Sequence, residues 1–289
     1  MLALIAGGVA IGFSPVLVRL SDLAPLASGF WRMGLSIPVL AVVALLTAPY
    51  ARRGGEAFTR KDHVLCILAG LAFGIDIACW HLSIYYTTVT DATLIANLAP
   101  LIVTLSAIVL FGERPSPIYM LGFALSISGA ISLVLQKSVG APPIDRVLGD
   151  AFGLGAAITY AAYMMISGHL RQRHSAQTIV FYTTVVSGLF MLGVALASGA
   201  PMLPGSLMGW AVILGIALIS HTGGQGLIIF ALGHLPASFS SMTQFIQTAV
   251  AALAAWVLLS EPLTVMKVMS AAAILAGIVI CRTATTRKP

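Results

Sequence analysis

Val109-Leu-Phe-Gly-Glu113-Arg-Pro115 and Val257-Leu-Leu-Ser-Glu261-Pro262 close two apolar runs that stand 148 residues apart in a chain of 289. In both copies a second apolar run follows, with a glycine sixteen residues beyond the glutamate, Gly129 and Gly277. The register holds without a gap from Ile102 to Ser132 and from Val250 to Ile280. Matches among Leu, Ala and Val carry little weight in apolar sequence. The paired glutamates, the prolines just beyond them and the paired glycines carry the repeat. An offset of about half the chain reads as a duplication, with copies over 1–137 and 148–283.

Hydrophobic residues make up 59% of the chain and charged residues 8%, too few to cover a soluble surface. The expected solvent is lipid, where every backbone N–H and C=O needs an internal partner, so only helices or a closed barrel can span. Long apolar runs without period-two alternation select helices. Runs of membrane length fall near 2–20, 24–48, 63–84, 89–111, 117–136, 149–170, 177–198, 207–232, 236–258 and 264–282, ten in all. Between them stand turn and charge signals such as Arg52-Arg53-Gly54-Gly55, Pro142-Pro143 and Pro204-Gly205. The apolar start at Leu2 has no basic segment before it and is expected to be kept as a helix rather than cleaved.

Basic residues orient the spans. With the N-terminus inside, Arg52, Arg53, Arg60, Lys61, Arg114, Arg171, Arg173, Arg282, Arg287 and Lys288 fall in cytoplasmic segments. Arg19, Lys137, Arg146 and Lys267 fall outside, and Arg32 is left within a span. The positive-inside bias therefore predicts both termini in the cytoplasm. It also accounts for the net charge of +6, so no nucleic-acid partner is implied. Five spans per copy carry the chain across the membrane, so the second copy starts from the opposite face. The fold expected is an all-α membrane protein of ten helices built as two inverted five-helix repeats, with Glu113 at the inner face and Glu261 at the outer. Many secondary transporters are built this way, with solute bound near the midplane between the copies.

Several motifs resemble a known family. Gly12-Phe-Ser-Pro15-Val-Leu-Val-Arg19, Phe30-Trp31-Arg32, Thr90-Asp-Ala-Thr-Leu-Ile-Ala-Asn97-Leu-Ala-Pro100 and Phe111-Gly-Glu113-Arg114 are similar to the EamA type of the drug/metabolite transporter superfamily. The second copy repeats the pattern from Gly149-Asp150 to Ser260-Glu261-Pro262. Within the superfamily the chain looks most like the YddG-type exporters, a resemblance that implies export of aromatic and other neutral amino acids. It further implies a multi-pass protein of a bacterial inner membrane.

Polar groups at midplane depth are the candidate solute contacts, because ionisable residues in a span are costly and face an interior. Asp76 is the acid near the middle of a span, Trp80 lies one turn on, and His81 is adjacent; a helix-tying Asp with packing aromatics is the plainer alternative. Asn97, beside the helix-bending Pro100, is offset from Phe245, and Ala99 from Gln247, so the copies place different chemistry in equivalent positions. Gln244 and Gln247, Tyr160 and Tyr163, and His221 with Gln225 complete the set; for each amide, interhelical hydrogen bonding is the alternative. Pro15, Arg32, Pro100, Glu113 and Glu261 read as hinge or structural residues.

No Walker lysine loop, dinucleotide glycine pattern, His-Glu-x-x-His or nucleophile elbow occurs, and the cysteines have no ligand spacing, so no cofactor, metal or catalytic residue is expected. The function expected is a secondary carrier of small metabolites, embedded in lipid, as a monomer or a homodimer. Alternatives are a carrier of another solute class, such as a sugar or nucleotide derivative or a cationic drug. A lipid-handling membrane enzyme would need clustered catalytic groups in place of isolated ones.

Overall fold

The computed structural model describes residues 2–51, 58–99, 101–102, 106, 116–135, 144–228 and 237–285. Among the described residues there is no strand. In chain order the helices are α1 (Leu2–Gly12), α2 (Ser14–Leu20), α3 (Pro25–Gly34), α4 (Ser36–Ala51), α5 (Arg60–Tyr86), α6 (Val89–Ala96), α7 (Pro117–Leu135), α8 (Arg146–Leu170), α9 (Ala176–Ala197) and α10 (Leu207–Leu214). A π-helix (Gly215–Gln225) continues α10, and α11 (Ala237–Leu259) and α12 (Val265–Thr285) follow.

Hydroxyls and carboxylates begin these helices. At α5 the Asp62 N–H donates to Thr59 Oγ1 at 3.2 Å while Asp62 Oδ2 accepts from the Thr59 N–H at 2.9 Å, a reciprocal capping box. Thr88 caps α6, Asp145 α8, Ser175 α9 and Ser206 α10 by accepting from an N–H three residues on. Each satisfies a donor that the helix itself leaves without a partner. Pro15 stands in the first turn of α2, where its missing N–H costs nothing, and the first apolar run divides into two helices at Phe13.

Five helical stretches are long and apolar enough to cross a membrane: Pro25–Leu46, Arg60–Tyr86, Arg146–Leu170, Ala176–Ala197 and Leu207–Ile228. Four shorter apolar helices, Ile5–Leu20, Pro117–Gly129, Ile246–Leu259 and Val265–Gly277, fall within other apolar runs of the sequence. The run 89–111 is helical over α6 and turns at Asn97 and Leu98, while Pro100 and Glu113 lie outside the described residues. Leu45, Leu121, Leu189 and Val257 are among many large apolar side chains left exposed. In water such a surface would aggregate; facing lipid it is the ordinary exterior of a helical multi-pass membrane protein.

Lipid supplies no hydrophobic drive between spans, so close packing by small residues holds them together. Gly70 and Gly74 of α5 lie against Val186 and Phe190 of α9, and Gly149 and Gly153 of α8 against Thr87, Ser83 and Ile95. Ser187 of α9 also donates to the Gly70 carbonyl at 2.8 Å. The α7–α12 contact is reciprocal. Gly129 abuts the Ser270 carbonyl, Gly277 abuts the Gly122 carbonyl, and each residue of one pair stands 148 from a residue of the other. Ser126 donates to the Ile274 carbonyl at 3.0 Å across the same 148 residues. Deeper in the bundle the rings of Phe73 and His221, again 148 apart, stack at 5.7 Å.

Candidate functional site

α5 packs on α3, α8 and α9, and its middle turns meet a set of buried polar side chains. Arg32 of α3, 4% exposed, donates from NH1 to Ser14 Oγ of α2 at 3.1 Å. Its guanidinium carbon lies 5.3 Å from the centre of the Trp80 ring, a cation–π arrangement, and Trp80 meets His81 edge-on at 5.5 Å. Asp76, 7% exposed and one turn before Trp80, feels the Arg32 charge, as do Tyr160 of α8 and His221 of the π-helix. From Arg32 the layer continues through Tyr160, 5.9 Å from the Tyr163 ring, to Phe73 stacked on Tyr163 at 4.4 Å. The Thr184 hydroxyl and His221 Nε2 are 3.0 Å apart at its far side.

This layer carries more hydrogen-bonding capacity than the protein uses. Tyr163 Oη, Ser167 Oγ, His221 Nδ1, Thr222 Oγ1 and Gln225 Nε2 are all buried without a well-formed hydrogen bond. The Tyr163 hydroxyl nevertheless lies close to Thr183, Ser167 and Gln225. Unpartnered polar atoms at this depth cost free energy unless water or a ligand completes them. The π-helix contributes to the surplus, because its wider turn positions His221 and Gln225 where an α-helix would place other residues.

Two ionic clusters stand beyond the layer, near opposite ends of α5, which at 27 residues spans about 40 Å. At its start, Asp62 pairs with Arg173 at 2.6 Å and with His174 Nε2 at 3.3 Å, and Phe58 stacks on the His174 ring at 4.0 Å. Past its end, Asp91, 1% exposed, sits between Arg146 and Lys267, each at 3.3 Å, while Asp150 lies 3.7 Å from Arg146. Glu261 crowns α6 there, accepting from the Val89 N–H at 2.8 Å, the Thr90 N–H at 3.2 Å and the Thr90 hydroxyl at 3.0 Å. Arg19 donates to the Thr87 carbonyl beside it.

The structure thus brings Asp76, Trp80, His81, Tyr160, Tyr163, His221 and Gln225 into one layer and adds Arg32, which the sequence had suggested as structural. Asn97 stands apart, donating from its amide to Thr248 of α11. Gln247 is half-buried on the same helix, its backbone carbonyl against Gly12 of α1. The Gln244 side chain lies outside the described residues. Absent from the sequence reading were Ser14, Phe73, Thr183 and Thr184 of the layer and the whole Asp91 cluster. Asp91, Arg146 and Lys267 each lie within three residues of a span boundary, a usable signal, but their meeting depends on how helices cross.

Comparison with known proteins adds four findings. The model of the EamA-like transporter family matches residues 1–135 and 147–283. The pseudopaline exporter CntI of Pseudomonas aeruginosa (strain UCBPP-PA14) is 26% identical over 222 residues, 76% of this chain and 75% of that protein. The threonine/homoserine exporter RhtA of Escherichia coli (strain K12) is 25% identical over 254 residues, 87% and 80% of the two chains. A crystal structure sharing 14% identity superposes with a TM-score of 0.67 over 96% of this chain and 93% of its own, a likeness of fold.

Proposed function

We propose, from the premise that this chain belongs to the EamA-like transporter family, that it exports neutral amino acids, aromatic ones among them, by alternating access. It is a transporter of small metabolites and not an enzyme. The finer reading is ten spans in two inverted five-helix repeats, 1–137 and 148–283, with both termini in the cytoplasm of a bacterium and the spans in its inner membrane. Reciprocal packing of α7 on α12 and the Phe73–His221 stack support it, since a two-fold axis makes equivalent residues meet each other. On that orientation the Asp91 cluster closes the outer end, and the Asp62 cluster lies at the inner.

The observation that carries the functional reading is the polar layer itself. Arg32 and Asp76 offer opposite charges, Trp80 and Tyr160 offer aromatic surface, and the buried hydroxyls and amides have capacity to spare. An amphipathic zwitterion matches such a lining better than a sugar or an organic cation, either of which would leave Arg32 unmatched. The test is an uptake screen in proteoliposomes over amino acids, sugars and nucleotides, with and without a proton gradient. Phenylalanine or threonine flux above empty liposomes is expected. Flux of sugars or nucleotides alone would overturn the assignment.

A further inference from the structure

Arg32 is an anomaly for a span. A guanidinium has five N–H donors and a charge it cannot shed, so burying it in a membrane interior is costly unless it is paired. Here the NH1 group reaches Ser14 Oγ, Nε is buried with no partner, and among the described residues no carboxylate lies within 4.0 Å of it. Trp80 covers one face of the group. Asp76 acts on it only from farther away, through charge. The buried carboxylates of the two ionic clusters, by contrast, have a cation in contact, Asp62 with Arg173 at 2.6 Å and Asp91 with Lys267 at 3.3 Å.

A purely structural arginine would be expected to close on Asp76, the acid in the same layer. The two are held apart instead: Ser14 grips the guanidinium from one side, and the Ser36 hydroxyl, bonded to the Arg32 carbonyl at 2.7 Å and the Ala217 carbonyl at 2.9 Å, pins the backbone beneath it. A carboxylate bound at Arg32 would satisfy the idle donors through charge-assisted hydrogen bonds. An ammonium group on the same molecule would then face Asp76.

We infer that Arg32 is a specificity-determining residue of the transport site, the anchor for the carboxylate of a transported amino acid, with Asp76 receiving its ammonium group. This rests on the amino-acid reading of the site and adds which end of the solute binds where. The expected preference for a free carboxylate over an uncharged carboxamide is about tenfold or more, because the amide leaves the buried charge unmatched.

The experiment measures binding of radiolabelled L-phenylalanine to the purified full-length protein. Unlabelled L-phenylalanine, L-phenylalaninamide and 3-phenylpropionate compete, at a pH where the amide keeps its ammonium group. L-threonine and L-threoninamide repeat the comparison. Wild type is expected to prefer each acid to its amide by about tenfold, Arg32→Gln to bind acid and amide equally, and Arg32→Lys to keep part of the preference. Asp76→Asn is expected to erase the preference for phenylalanine over 3-phenylpropionate. Equal binding of acid and amide by wild type overturns the assignment without any variant, so a misfolded Arg32→Gln leaves the test intact. A folded Arg32→Gln that retains the acid preference also overturns it, while leaving the carrier reading in place. Wild type that binds and transports no amino acid at all overturns both.

Discussion

In the proposed duplication α5 corresponds to the segment 148 residues later, and the two differ in both shape and chemistry. α5 runs as an unbroken α-helix from Arg60 to Tyr86 and carries Phe73, Asp76, Trp80 and His81 on its middle turns. Its counterpart is α-helical from Leu207 to Leu214 and then widens into the π-helix. Opposite Phe73 stands His221, opposite Asp76 Gly224, and opposite Trp80 Ile228. Gly224 lies against Ile11 and the Gly7 carbonyl of α1, so its role is to admit a neighbouring helix. α5 supplies charged and aromatic groups on a rigid rod. Its counterpart supplies His221, close approach and a loosened helical turn, the kind of local departure found at functional sites. Two copies with identical linings would suit a symmetric solute; this division suits one whose ends differ.

The comparison breaks first if the glycine side is not scaffold. Gly224→Val would drive a branched side chain into Ile11 and the Gly7 carbonyl, with an expected loss of about 3 kcal/mol and of most folded protein in detergent. Size-exclusion chromatography with a thermal melt reads it, and a variant as stable as wild type would remove Gly224 from the scaffold. Next in size, Gly277→Ala would collide with Ser126 and the Gly122 carbonyl at the α7–α12 seam, costing about 2 kcal/mol. A methyl group at Gly168 of α8 would meet nothing within 4 Å, and Gly168→Ala is expected to leave the melt unchanged or raise it slightly. Equal shifts in the two would refute the close-packed seam.

Trp80→Ala tests the other side of the comparison. Removing the ring uncovers the Arg32 guanidinium and one wall of the layer, with flux expected to fall about tenfold while the protein still folds. Asn97→Ala, which loses the hydrogen bond to Thr248, is expected to lower flux less and to cost about 1 kcal/mol of stability. Unchanged flux in both would dismiss the recognition role given to the first copy.

The five long spans were legible because membrane length and apolarity are local properties of a segment. So was the Asp76–Trp80 face, which needs only one turn of helix. Contacts between helices were not. The offset set Asn97 against Phe245, yet its amide reaches Thr248, about one turn farther along α11, because helices that cross bring together side chains displaced along their axes. Arg32 read as structural because a sequence shows a charge but not whether a carboxylate comes within reach of it. The π-helix left no signal beyond Gly223, Gly224 and Gly226, which fit ordinary packing equally well.

The smallest effect concerns coupling. Asp76 is buried beside Arg32's field and has no counterpart acid in the second copy, where Gly224 stands. If proton movement drives export, Asp76 is the carboxylate of the layer able to take and release the proton, in the company of His81 and of His221 from the π-helix, and position 224 offers no second carboxylate to share the task. Asp76→Asn keeps the size and one acceptor of the side chain but cannot titrate. Its expected outcome is a flatter dependence of flux on pH, each profile scaled to its own maximum because the solute ammonium group also loses a partner, measured in liposomes across imposed proton gradients. A pH profile identical to wild type would assign Asp76 to solute binding or packing alone. The asymmetry between the two copies would then be one of recognition and not of energy coupling.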